Sequence, residues 1–293
     1  MVYKKIAKFW GLILFIFSVL ISVRFFVFWE GFNLDFNPSP LPLIEEDASF
    51  PQINAKSAII IDADSGTVLF EREPHLRLNP ASITKMATAI TALETYPVDE
   101  VVSVISAYPV GKIMGLKPEE KITVKNLIYG LLVHSANDAA FVLAGQTEGK
   151  IAKFIARMNE IAFQENLNDT HFVNFDGEED QNHYSTVFDL AHLTRWALRN
   201  SIFSDAVRLD RITVTDITGN ISHDLETTNE LLGLEEIKGV KTGWTPLSGE
   251  CFVGLVDLED RRLITVVLGS EDRFGETKKL VDWAKENIFW KEI

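Results

Sequence analysis

Three short clusters in this sequence bring together side chains able to do covalent or electrostatic chemistry. In the first, Ser82 and Lys85 stand three residues apart within Asn79-Pro80-Ala81-Ser82-Ile83-Thr84-Lys85. On a helix that spacing puts both on one face, a hydroxyl nucleophile beside an amine that can serve as its base. The second is Ser135-Ala136-Asn137, a hydroxyl and an amide between two helical runs. It is equally what ordinary capping of a helix beginning near Asp138 would require. The third is Lys241-Thr242-Gly243-Trp244-Thr245, at the end of a strand-like run. Lys241 offers charge, Thr242 and Thr245 offer hydroxyls to a carboxylate, and Gly243 allows a substrate backbone to approach. The plain alternative is a strand ending in a glycine turn with its lysine in solvent. Ser-x-x-Lys alone is also no rarity, because both residues are common.

The elements that must position these groups can be read from pattern. Asn79 suits a helix N-cap and Pro80 the first helical position. Met86, Ala89, Ile90 and Leu93 then follow at helical spacing, which predicts a buried helix of about four turns with Ser82 in its first turn. There the positive end of the helix dipole favours developing negative charge. Upstream, Ser57–Ile61 and Thr67–Phe70 flank turn residues Asp62 to Gly66 and predict a hairpin. Helices are predicted over Thr123–Val133, Asp138–Gln146, Ile151–Glu165 and Val187–Arg199. Strands return at Ile212–Val214, Ile237–Thr242, Cys251–Leu258 and Leu263–Leu268, and a last helix is predicted from about Glu276 to Phe289. Strands at both ends of a helical middle predict an α+β domain, an antiparallel sheet flanked by helices with an inserted helical subdomain over about residues 100–208.

Composition sets further bounds. The chain has 293 residues, 46% hydrophobic and 24% charged, enough for one large domain or two small ones. Its single cysteine, Cys251, allows neither an intrachain disulfide nor a cysteine metal cluster. The formal net charge of −14 argues against a nucleic-acid partner. No cofactor and no metal are called for: His134, His171 and His183 have no recognised metal-ligand spacing.

The acidity is uneven, because residues 1–29 carry Lys4, Lys5, Lys8 and Arg24 and no acid. Phe9 to Trp29 is a run of 21 residues with one charge, long enough to cross a bilayer as a helix. The preceding lysines predict a cytoplasmic N-terminus and an extracytoplasmic remainder. A cleaved signal peptide is the rival, but no small-x-small site follows the apolar run. The expected organisation is therefore an anchor over 1–29, a proline-rich extended linker over 30–52, for which a loop packed onto the domain is the alternative, and a catalytic domain over 53–293.

The three clusters acquire a common meaning from their order. Ser-x-x-Lys, then Ser-x-Asn 53 residues on, then Lys-Thr-Gly after another 106, is the motif set of penicillin-binding proteins and class A β-lactamases. The wording PASITKMATAITAL, MGLKPEEKITVKNLIYGLLVHSANDAA, NHYSTVFDLAHLTRWAL and GVKTGWT closely resembles serine-type D-alanyl-D-alanine carboxypeptidases, over roughly Ala55 to Trp290. The usual Ser-Gly-Asn stands here as Ser-Ala-Asn, a change expected to be tolerated. Many members carry a β-rich second domain and a C-terminal amphipathic anchor, not expected here, and the N-terminal anchor is expected to replace that attachment.

The resemblance implies a β-lactamase/transpeptidase-like fold and removal of the terminal D-alanine from peptidoglycan stem peptides through an acyl-enzyme on Ser82. It implies Lys85 as base, Ser135 as proton relay to the leaving D-alanine, and Asn137 as a hold on the substrate amide. Lys241, Thr242 and Thr245 would bind the terminal carboxylate, and the backbone N–H groups of Ser82 and Trp244 would form the oxyanion hole. β-Lactam antibiotics would acylate Ser82, and the membrane would be a partner through the N-terminal helix, in a bacterial cell membrane. Two other classes are weighed. A β-lactamase needs a carboxylate to activate the deacylating water; Glu165-Asn166-Leu167-Asn168 superficially offers one but falls where carboxypeptidases end a helix. A non-catalytic wall-binding protein would not need Ser82, Lys85 and Lys241 together.

Overall fold

Runs of β-branched residues that are apolar on both faces make the central sheet. A computed structural model describes residues 40–234, 236–258 and 261–291. The expected membrane span, and the linker up to residue 39, lie outside the described residues. Among those described, no helix is long and apolar enough to cross a membrane. In chain order come β1 (Leu41–Ile44), β2 (Ser57–Asp62), β3 (Val68–Arg72), α1 (Thr84–Thr95), β4 (Val101–Ser103), β5 (Lys121–Thr123), α2 (Val124–Val133), α3 (Asn137–Leu143) and α4 (Glu148–Gln164). They are followed by α5 (Val187–Ala197), α6 (Ser201–Ala206), β6 (Arg211–Thr215), β7 (Ser222–Glu226), β8 (Ile237–Thr245), β9 (Gly249–Leu258), β10 (Arg261–Ser270), α7 (Arg273–Asn287) and β11 (Ile288–Lys291).

Five strands form an antiparallel sheet in the order β3-β2-β10-β9-β8. Side chains alternate between its faces. Ile59, Ile61, Val253, Leu255, Ile264 and Val266 join one core with Met86 and Ile90 of α1 and Leu190 of α5. Ala58, Ile60, Phe252, Val256, Leu263 and Val267 join a second core with Leu280, Val281, Trp283 and Ala284 of α7. Helices thus cover both faces, and β8 is left as an edge strand. The helical middle wraps α1, which is buried from Thr84 through Ala92. In α4 only the Phe154, Met158, Ile161, Ala162 stripe is buried, as an amphipathic surface helix requires.

The α+β architecture is as expected, with three corrections of detail. Ser82 lies in a 3₁₀ turn, Ala81–Ile83, and the α-helix starts only at Thr84. Pro80, not Asn79, takes the N-cap position of this turn, and Asn79 Oδ1 accepts the N–H of Ala81 at 3.0 Å from just ahead of it. The linker expected over 30–52 is packed against the domain from Pro40 onward: β1 pairs along its length with β11. Trp283 Nε1 also donates to Ser49 O at 2.9 Å, and Phe50 packs against the rings of Phe70 and Trp283. Accordingly the last helix stops at Asn287, because Ile288–Lys291 is drawn into that ribbon. Hairpins β4–β5 and β6–β7 and helix α6 add to the predicted set, β6 extending the strand expected at Ile212–Val214.

Candidate active site

The Ser82 turn packs against the edge of β8, and the approach is close. A Cβ on Gly243 would fall 3.1 Å from Ser82 N, so a larger residue would press strand and turn apart by a few tenths of an ångström. On the other side Gly177, at φ +89, leaves room for the Ala81 carbonyl. Ala81 itself takes a left-handed backbone, φ +49, a conformation that costs an alanine about 1–2 kcal/mol and is held only by such packing.

Lys85 is fully buried. Its Nζ lies 2.8 Å from Ser82 Oγ and donates to Asp176 O at 2.9 Å. Burial lowers its pKa to about 8 against the opposing charges of Asp176 and Glu178, which brings a neutral amine within reach near neutral pH. Thr84 is tied to His183, whose Nδ1 accepts the N–H of Val173; the neutral ring therefore donates from Nε2 to Thr84 Oγ1 at 2.7 Å. Burial pushes the His183 pKa down to about 4, which fixes it as a neutral brace at the start of α1, just after Ser82.

Ser135 sits between α2 and α3 and Asn137 opens α3, both buried. Ser135 also takes a left-handed backbone, φ +60. Ala136 has φ −69 and ψ 119, which any residue adopts, and its methyl is packed in the main core. This is the physical reason Ser-Ala-Asn is compatible with the turn. The Asn137 N–H donates to Lys112 O at 2.7 Å, and its side chain lies against Gly111, where a Cβ would come within 2.4 Å of Asn137 Nδ2.

From β8, Lys241 reaches across to this second serine, donating to Ser135 Oγ at 2.9 Å and to Thr242 O at 3.1 Å. Burial first, then the charges of Lys85, Lys112 and Arg273, hold its pKa well below the ordinary lysine value. Thr242 Oγ1 lies 2.6 Å from Thr228 Oγ1, and Thr245 Oγ1 bonds Ser248 Oγ at 2.8 Å. Trp244 is 59% exposed at the strand's open edge. The three clusters, spread over 159 residues of sequence from Ser82 to Lys241, thus meet through the Ser82–β8 and Ser135–Lys241 contacts.

Four positioning groups escaped the sequence reading. Asp138 gathers the N–H groups of Met114, Gly115 and Leu116 at 2.8–3.0 Å and so holds the loop that carries Lys112. Its only signal was its place after Ser-Ala-Asn. Arg273 donates to Gly243 O at 3.0 Å and adds positive field at the strand end. Gly177 and Asp176 come from a loop with no recognisable pattern. Glu165, by contrast, is the C-cap of α4, as its place in the sequence implied.

A serine beside a buried amine, with a second serine held by a second buried lysine, is an arrangement chemically able to transfer acyl groups through serine. Comparison with known proteins gives the same class a family. The D-alanyl-D-alanine carboxypeptidase family model matches residues 44–272. D-alanyl-D-alanine carboxypeptidase DacD of Escherichia coli is 30% identical over 94% of this chain and 73% of its own length. DacF of Bacillus subtilis is 29% identical over 78% of this chain, which spans 62% of that protein. The crystal structure of a Streptomyces DD-transpeptidase superposes with a TM-score of 0.76 at 30% identity, covering 80% of this chain and 98% of that one. The chain belongs to the D-alanyl-D-alanine carboxypeptidase family of serine peptidases.

Proposed function

We propose that Ser82 is the nucleophile that takes the acyl group from a stem peptide ending in D-alanyl-D-alanine, with release of the terminal D-alanine. The observation that carries this reading is the 2.8 Å contact between Ser82 Oγ and the buried Lys85 amine. Burial favours the neutral Lys85 amine, able to accept the Ser82 proton, and a carboxylate entering beside Lys241 favours the charged form there. Ser135, held by Lys241, then passes a proton to the leaving amine. The Asn137 side chain orients the substrate amide, and the backbone N–H groups of Ser82 and Trp244 receive the oxyanion; loss of one such donor typically costs about 3–4 kcal/mol. Water completes the turnover by hydrolysing the acyl-enzyme. β-Lactams enter the same route and stop at the acyl-enzyme. The test is mass spectrometry of a synthetic pentapeptide ending in D-alanyl-D-alanine: loss of one alanine supports the reading, and an unchanged peptide contradicts it.

The role given to Lys241, with Thr242 and Thr245, is to bind the terminal carboxylate. Lys241→Ala should therefore penalise the pentapeptide acid more than its C-terminal amide, by roughly 10–100-fold in the ratio of kcat/KM, as expected for one charge-assisted hydrogen bond. Equal slowing of both forms would remove that role and leave only a field effect on Lys85.

Residues 1–29 are proposed as an uncleaved single-pass anchor in a bacterial cell membrane, with the catalytic domain outside. The support is the 21-residue span with one charge. An N-terminal sequence beginning near Glu30 in a soluble extract would overturn it.

A further inference from the structure

The Lys85 amine has two hydrogen-bonding neighbours, Ser82 Oγ and the main-chain carbonyl of Asp176. A neutral amine that is to accept the Ser82 proton must aim its lone pair at Ser82, and its N–H bond to that carbonyl sets the aim. What fixes the carbonyl is therefore part of the machinery. Asp176 is 3% exposed, and its carboxylate accepts the Tyr108 hydroxyl at 2.9 Å. The Tyr108 ring is stacked on Phe141 with centroids 4.8 Å apart and meets Phe175 edge-on. Either side of Asp176 the loop is pinned as well. Thr88 donates to Phe175 O at 2.6 Å, and the Gly177 N–H donates to Asn174 Oδ1 at 2.8 Å.

We infer that Asp176 is a positioning residue for the base: Tyr108 clamps its carboxylate, its carbonyl holds Lys85 against Ser82, and its negative charge supports the amine as the proton arrives. This rests on the reading of Ser82 and Lys85 as nucleophile and base. In acylation the Ser82 O–H proton moves to Lys85 Nζ, and the new ammonium then lies in the field of the buried Asp176 carboxylate. The charged and titratable groups facing Lys85 are Asp176 and Glu178 from the loop, Lys241 from β8, and Ser82 from its own turn. Glu178 is exposed and so screened by solvent, whereas Asp176 is not.

The test is the pH profile of acylation by a chromogenic β-lactam. Asp176→Asn keeps an acceptor for Tyr108 and removes the charge. Its acid limb should move to lower pH by about one unit. Because a weaker base is also a slower one, the variant should be roughly threefold slower than wild type above the limb and roughly threefold faster below it, so the two profiles cross. Tyr108→Phe keeps the ring stack but takes the hydroxyl from the carboxylate; its limb should move the other way, by less than one unit. A defect of folding or packing scales a profile without moving its limb. An unmoved limb in Asp176→Asn overturns the inference, and if that variant does not fold, an unmoved limb in Tyr108→Phe does so. Persistent labelling of Ser82→Ala would instead remove the nucleophile reading beneath it.

Discussion

Lys85→Ala should slow acylation by peptide and by β-lactam alike, by about 10²–10⁴-fold, the usual cost of removing a general base. The two substrates differ in leaving group and in strain, but under the proposed mechanism both need the Ser82 proton taken at the moment of attack. Lys85 is the amine at hydrogen-bond distance from that oxygen, and it is buried completely. In the intact enzyme, acylation should rise with pH through about 8, where Lys85 loses its proton, and this limb should vanish from the residual activity of the variant. Stopped-flow acylation with one β-lactam and one peptide donor checks both points. A variant slowed less than tenfold, or one that kept the limb, would show that another group serves as base.

Gly177→Ala should be nearly as damaging, although residue 177 carries no functional group. A Cβ at this position would lie 2.0 Å from Ala81 O and 2.9 Å from Ser82 N, and the backbone there has φ +89. Neither neighbour is a flexible side-chain tip; both are main chain of the turn that presents the nucleophile. The loop and the turn must therefore separate. Such a backbone clash should destabilise the protein by about 2–4 kcal/mol, lowering Tm by roughly 4–16 °C for a domain of this size. Because a displacement near 1 Å at the reacting atom can cost about 100-fold, acylation should fall well beyond what the lost stability explains. Differential scanning calorimetry with acylation rates well below Tm separates the two losses. A variant with wild-type acylation would mean that Ser82 does not depend on this packing.

How much of this was legible in the sequence depended on whether a signal was local. The Ser82 helix could be read from Asn79, Pro80 and the apolar spacing that follows, and β8–β10 from their β-branched runs. The left-handed turn at Ala81 could not, since an alanine gives no sign of positive φ; it is imposed by Gly177 and Gly243 from distant parts of the chain. Asp176 is 91 residues from Lys85 and offers it a main-chain oxygen, which no residue type announces. The ribbon of β1 and β11 was misread for a related reason. Pro40 and Pro42 look like linker, yet a proline is tolerated in a strand that pairs on one side only, and β1 pairs with β11 alone. The alternation in Leu41–Ile44 acquires meaning only when the far end of the chain is beside it.

The central claim is that Ser82 forms the acyl-enzyme, and the most direct test is the intact mass of the protein after exposure to a β-lactam. The wild-type chain should gain the mass of one β-lactam, and proteolytic mapping should place it on the peptide that contains Ser82. Ser82→Ala, folded to the same Tm within a few degrees, should gain nothing. An adduct on that folded variant, or one mapped to Ser135 in the wild type, would contradict the account.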